Sequence, residues 1–176
     1  MWIVVDGYNL IRRSPKLAPL DRRDLKGGRD ALLGVLGAYR RLKGHRTTVV
    51  FDGWERGGAG EQATQVAGVR VIFSRRGDRA DQAILRLVEK APAGAVVVTS
   101  DRALAEAAGR LGAIALSAEE FEERLERTLR EGGEDGAEEE DEGASEAVRP
   151  GPRKMKGAAR RLSKQARRRS ITLGRL

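Results

Sequence analysis

A chain of 176 residues that is 40% hydrophobic has room for one domain and an appendage, but not for two domains of ordinary size. It contains no cysteine and a single histidine, His45, which excludes a disulfide framework, a thiolate nucleophile, a histidine-dependent triad and a multi-histidine metal centre. The formal charge of +8 points to a polyanionic partner, and any catalysis is left to carboxylates.

The chain opens on Trp2-Ile3-Val4-Val5-Asp6-Gly7, a β-branched run of strand length that delivers a carboxylate to a turn. No basic flank precedes it and no later apolar run is long enough to span a membrane, so neither a secretory signal nor a membrane segment is expected. With the absence of cysteine, this is the pattern of a cytoplasmic protein without disulfide partners. After Tyr8, Asn9, Arg12 and Arg13, the residues Pro15 and Pro19 predict a long loop. From Gly28 to Lys43, Leu32, Val35, Leu36, Tyr39 and Leu42 recur at helical spacing, and Gly34 and Gly37 mark expected close packing against a sheet. His45 is expected on an exposed loop.

A second strand ends in Phe51-Asp52-Gly53, and Gly57 to Gly60 read as a flexible loop. Glu61 to Ala67 reads as a short helix and Val69 to Phe73 as a third strand. The charged stretch from Ser74 to Asp81 starts a helix with Ile84, Leu85, Val88 and Ala91 on its apolar face; Asp78 is its candidate cap and Pro92 its stop. A fourth strand leads through Val98 to Thr99-Ser100-Asp101, then a helix follows through Leu104, Ala108 and Leu111. Ile114 to Leu116 is a short fifth strand, Ser117 and Glu120 form a capping box, and the last helix runs to about Arg130.

Alternating strands and helices predict a three-layer α/β/α domain with a parallel sheet over residues 1–130. Ligands bind such sheets beyond the carboxyl ends of the strands, where Asp6, Asp52 and Asp101 fall. Phosphodiester hydrolysis needs an activated water and charge stabilisation on the phosphate. Mg2+ or Mn2+ supplies both from one or two carboxylates and bound waters. Asp6 is the expected centre, Asp81 and Asp101 further direct or water-mediated ligands, and Asp52 an edge member. Asn9 is a candidate for orienting a ligand or water, and Ser100 another. Arg29, beside Asp30, suits a phosphate, Arg12 is a further candidate substrate contact, and Tyr8 suits stacking on a base. A lone aspartate after a strand is also an ordinary turn former or helix cap, most plainly at Asp52-Gly53.

Beyond Arg130 the composition changes. Residues 131–148 carry acids and no base, the pattern of a disordered linker, and residues 149–176 carry bases and no acid. Met155, Ala159, Leu162 and Ala166 make a thin helical stripe in this basic tail, and Arg160, Arg161, Arg167 and Arg168 are candidate RNA contacts. The acidic linker is expected to screen the basic surface until RNA displaces it.

Val5-Asp6-Gly7-Tyr8-Asn9-Leu10-Ile11, Arg29-Asp30, Val50-Phe51-Asp52, Val71-Ile72-Phe73-Ser74, Ala80-Asp81 and Val98-Thr99-Ser100-Asp101 together resemble the ordered motifs of the YacP-type NYN-domain proteins over about residues 1–128. The resemblance implies a PIN-like fold and a metal-dependent endoribonuclease. It also implies an mRNA substrate, ribosome association, and Asp6, Asn9, Asp81 and Asp101 as the site. It does not account for the tail. A catalytically inactive RNA- or ribosome-binding adaptor with the same fold is the alternative. A haloacid-dehalogenase-like phosphatase is disfavoured, because Tyr8 stands where that family places a second aspartate.

Overall fold

The computed structural model describes residues 1–53, 61–90, 94–134 and 174. In chain order the elements are β1 (Trp2–Asp6), α1 (Gly7–Arg13), α2 (Ala18–Arg23), α3 (Leu25–Lys43), β2 (Arg46–Phe51), β3 (Gln62–Val66), β4 (Val69–Phe73), α4 (Ala80–Glu89), β5 (Val96–Val98), α5 (Arg102–Arg110), β6 (Ile114–Leu116) and α6 (Ala118–Glu134). The strands form one sheet in the order β3-β4-β2-β1-β5-β6, parallel throughout except for the antiparallel edge strand β3.

The side-chain period of two along each strand separates the core into two layers. Ile3 and Val5 of β1, with Val49 and Phe51 of β2, pack beneath α1, α3 and α6, where Tyr39 and Phe121 are fully buried. Val4, Val50, Ile72 and Val97 face the other way, against Ile84 and Val88 of α4 and Leu104 and Ala108 of α5. Strands buried on both faces read as unbroken apolar runs, which is why the expected three-layer α/β/α domain was visible.

The register brings Val5 level with Val49 on one side and Val98 on the other, so β1, β2 and β5 end together. From β1 the chain proceeds outward to β2, and from β5 it proceeds outward to β6 in the opposite direction. The ends of β1 and β5 therefore flank the point where the strand order reverses, the usual crevice of such sheets.

Several elements differ from the sequence expectation. The Pro15/Pro19 stretch is not helical throughout, as expected, but in place of a long loop a turn over residues 14–17 that holds Pro15 joins two short helices. Asp6 caps α1, and Pro19 occupies the first turn of α2, where its missing N–H costs nothing. The stretch expected as a short helix is strand β3. Ala67 and Gly68 both have positive φ, 50° and 79°, which makes the tight turn that pairs β3 back onto β4. Gly37 does pack closely, against Ala67, but among the described residues nothing lies near Gly34. Leu42 is exposed, and His45 is half-buried with its ring against Tyr39. Asp78 is not the cap of α4, a role taken by Asp52. The Ser117–Glu120 capping box forms in both directions, and α6 continues past Arg130 to Glu134. The Gly57 to Gly60 loop, Ala91, Pro92, and residues 135–173, 175 and 176 lie outside the described residues.

Candidate active site

Asp6 is held from three directions at the end of β1. Gly7 follows because any Cβ at that position would collide with the ring of Phe51, so the backbone turns tightly onto β2 and enters α1 at once. The Asn9 N–H donates to Asp6 Oδ1 at 3.3 Å, and the Thr99 hydroxyl donates to Asp6 Oδ2 at 3.1 Å. Thr99 in turn accepts from the Asp101 N–H at 3.1 Å, and Asn9 Oδ1 accepts from the Ser100 N–H at 2.8 Å. The turns after β1 and β5 are thus stitched together by side chains. Asp6 is only 7% exposed, and burial pushes its carboxyl up to about 6, reinforced by repulsion from Asp81 and Asp52 and opposed by the two hydrogen bonds.

The other aspartates surround this point from separate elements. Asp52, at the end of β2, accepts from the Ala80 N–H at 2.6 Å and so fixes the start of α4. That places Asp81 in the first turn, over the cleft. Burial raises the Asp81 carboxyl, and the charges of Asp101 and Asp52 raise it further. Asp81 therefore feels Asp52 and Asp101, and its own charge acts in turn on Asp6. Asp101 is exposed at the rim, where it caps α5 by accepting from the Leu104 N–H at 3.0 Å. Among the described residues no three His, Cys, Asp or Glu side chains converge into a ready-made metal cage. The donors at hand are all oxygen, and their mutual repulsion is the charge that a hard divalent ion neutralises. The residues fit an ion held by one or two carboxylates with waters and substrate phosphate completing its shell.

Basic residues rise around this floor. Asp6, Asp52 and Asp81 line a cleft of about 700 Å³, with Arg12, Arg13, Arg29 and Arg79 among its walls. Arg29 is buried in α3, and its Nη1 donates to the Tyr8 hydroxyl at 2.6 Å. Tyr8 packs edge-on against Phe51, with Arg12 above its ring at 5.4 Å, so it holds the wall together. Asp30 points to solvent. The Ser100 hydroxyl donates to Glu119 Oε2 at 2.7 Å and accepts from the Ala118 N–H at 3.0 Å, which makes it a brace between β5 and α6. That hydrogen bond, with the nearby charge of Arg13, holds Glu119 below its usual carboxylate range.

Three of these residues escaped sequence reasoning. Thr99 had the signal of a hydroxyl directly after a strand, and Arg79 stood in the charged loop, but Glu119 reaches the site from 19 residues downstream of its partner with no local signature. Arg160, Arg161, Arg167 and Arg168 lie outside the described residues.

A family model for the YacP-like NYN domain matches residues 3–168, reaching well past the 1–128 span of the recognisable motifs and into the basic tail. The chain is 33% identical over 138 residues to a Bacillus subtilis (strain 168) relative described as uncharacterized protein YacP, covering 73% of this chain and 81% of the relative. It also resembles two crystal structures of Rae1 (YacP) from Bacillus subtilis. One, at 30% identity and a TM-score of 0.62, covers 77% of this chain and 79% of the other. The second, a point mutant at 29% identity and a TM-score of 0.63, covers 74% and 77%.

Proposed function

From the premise that this chain belongs to the YacP-like NYN domain family, we propose that it is a metal-dependent endoribonuclease acting on mRNA, in association with ribosomes. The observation that carries the reading is the buried carboxylate of Asp6 at the reversal point of the sheet, repelled by Asp52 and Asp81 and overhung by an arginine-walled cleft. Aspartates packed against their own repulsion need a reason. A cation bridging them to a phosphate supplies one.

Asp6 and Asp81 would hold Mg2+ or Mn2+, with Asp101 reaching it directly or through water. When bound, such an ion lowers the pKa of a coordinated water and neutralises charge on the phosphate. The protein does the rest. Asn9 and Thr99 fix both oxygens of Asp6, so the carboxylate does not reorient during the reaction. Arg12, Arg13 and Arg79, exposed on the cleft wall, grip phosphates on either side of the scissile bond, and Arg29 sets the wall through Tyr8.

A second reading, an inactive RNA- or ribosome-binding adaptor, has one observation in its favour: Asp6, Asp52 and Asp101 all cap helices. Capping alone needs no carboxylate, since Ser, Thr or Asn serves as well, and Asp81 stands inside the first turn of α4 and not at its cap position. Incubation of end-labelled RNA and DNA with Mg2+, Mn2+ or chelator, with and without ribosomes, separates the two readings. Metal-dependent cleavage of RNA that Asp6→Asn abolishes is the expected result. RNA binding without cleavage under every condition would establish the adaptor.

A further inference from the structure

The cleft is not the only basic surface. At the opposite end of the sheet, Arg40 from the last turns of α3, Arg46 at the start of β2 and Arg70 at the start of β4 line an open groove of about 590 Å³. Thr47, Thr64 and Gln65 supply its remaining polar lining, and among the described residues no acid takes part. Among the described residues none of the three arginines has a carboxylate partner.

Two of these guanidinium groups are held in place. Arg46 lies over the Trp2 ring at 4.3 Å, and the Trp2 indole N–H donates to the Thr48 hydroxyl at 3.0 Å, which fixes the ring. Arg40 lies so close over Gly68, whose φ is +79°, that a Cβ there would sit 2.5 Å from Nη1. A cation near the C-terminus of a helix complements its dipole, which accounts for Arg40 but not for Arg46 or Arg70, both on strands. Beside them, among the described residues β3 pairs with β4 alone, so the backbone N–H groups of its outer edge have no strand partner there. Preset guanidinium groups, with the exposed Thr64 hydroxyl and the backbone N–H groups of the edge beside them, are donors of the kind that phosphate oxygens take in nucleic-acid complexes, whereas the buried Thr47 hydroxyl already donates to the His45 carbonyl.

We infer that this groove is a second RNA-binding site, gripping the phosphate backbone of a strand whose scissile bond lies in the cleft. It rests on the reading of the chain as an RNA-cleaving enzyme and adds an anchor remote from the chemistry. The six residues of β2 separate Arg46 from Asp52 by about 20 Å at roughly 3.3 Å per residue. The site therefore acts on long RNA and contributes nothing to a fragment that fills only the cleft. Its contacts are to phosphate, so it carries no base preference.

The test is RNA affinity of the full chain in chelator, so that nothing is cut, measured against salt for the wild type and for the triple variant Arg40→Gln, Arg46→Gln, Arg70→Gln. A control triple, Lys90→Gln, Arg110→Gln, Arg127→Gln, removes the same charge from exposed positions elsewhere. The groove variant should bind long RNA about tenfold more weakly, and its log–log salt slope should fall by about 2, the loss of three phosphate contacts on a single strand. The control should keep the wild-type slope. Equal affinity and slope in the groove variant, or equal losses in both triples, overturn the proposal. If the triple fails to fold, Arg70→Glu alone carries the test, since Arg70 is exposed; several-fold weaker binding supports the groove, and unchanged binding overturns it. Absence of cleavage by the wild type in Mg2+ would instead remove the nuclease reading, and the slope comparison reads the groove separately from it.

Discussion

At the carboxyl ends of the strands, aspartates sit beneath arginines that are themselves tied down, Arg29 by Tyr8 and Arg13 by Glu119 at 3.6 Å, whereas at the amino ends of β2 and β4 three arginines stand with no acid among them. Both ends suit a polyanion, but in different ways. A surface that only holds phosphate gains nothing from negative charge, so the acidic floor of the cleft is better understood as chemistry than as grip. The contrast also separates what each end should lose on mutation, rate at one and affinity at the other.

The sharpest break is Asp6→Asn. It should reduce the cleavage rate by about a thousandfold or more, the equivalent of roughly 4 kcal/mol of transition-state stabilisation, while RNA binds as well or better. Asp101→Asn should behave likewise. Single-turnover cleavage beside filter binding checks both, and a variant that still cuts at the wild-type rate removes Asp6 from the mechanism.

Next in size is the cost of keeping the Asp6 carboxylate charged while it is buried, to which the neighbouring aspartates add. Burial pushes the Asp6 carboxyl from its ordinary 3.8 up to about 6, so between these values the folded protein binds more protons than the unfolded chain. Stability from this group is therefore fully present at the acid end of that window and lost as pH rises through 6. The loss amounts to about 3 kcal/mol at 1.36 kcal/mol per unit. Without metal, wild type minus Asp6→Asn should show this decline in a denaturant titration series across the window. Mg2+ should raise the Tm of the wild type at pH 7 and leave Asp6→Asn unmoved. A flat difference curve would show that the carboxylates are not strained.

Gly7→Ala tests the geometry beneath. Its methyl group meets the Phe51 ring, so a loss of about 1–3 kcal/mol and a lowered Tm are expected. An unchanged melting curve would mean that Phe51 moves freely. Smaller again, Glu119→Ala removes the acceptor of the Ser100 hydroxyl; a loss of about 1 kcal/mol in positioning corresponds to roughly fivefold in kcat, with RNA affinity kept. Affinity falling in place of rate would assign Glu119 to binding. The least effect belongs to the acidic segment. Deleting residues 135–148, which spares α6, should strengthen RNA binding a few-fold at low salt and not at high salt. Identical isotherms at low salt would show that the segment screens nothing.

The fold was legible because buried parallel strands announce themselves as apolar runs, and because Asp6, Asp52 and Asp101 each close one such run. The edges were harder to read. Gln62 to Val66 is exposed along its whole length and mixes polar residues with Ala63 and Val66, so nothing in its pattern distinguishes an uncovered edge strand from a helix; the turn at Ala67 and Gly68 decides it. Pro15 and Pro19 pointed to a loop because proline breaks helix interiors, yet Pro19 sits in a first turn. In the site, the strand-end carboxylates were visible while the contacts that hold them were not. The Ser100 to Glu119 bond and the Arg29 to Tyr8 bond join segments that only the folded topology brings together, and no local spacing encodes them.

Ala67 is the only non-glycine residue with positive φ among the described residues, in a conformation that costs a side chain about 1–2 kcal/mol. Its methyl group lies where Gly37 leaves a notch, since a Cβ on Gly37 would stand 2.6 Å from it. The pair therefore behaves as one heritable unit. Gly37→Ala alone should be poorly tolerated and become less harmful beside Ala67→Gly, so a lineage that alters the hairpin turn gains freedom in α3, and one that fills the notch in α3 is pressed to empty the turn.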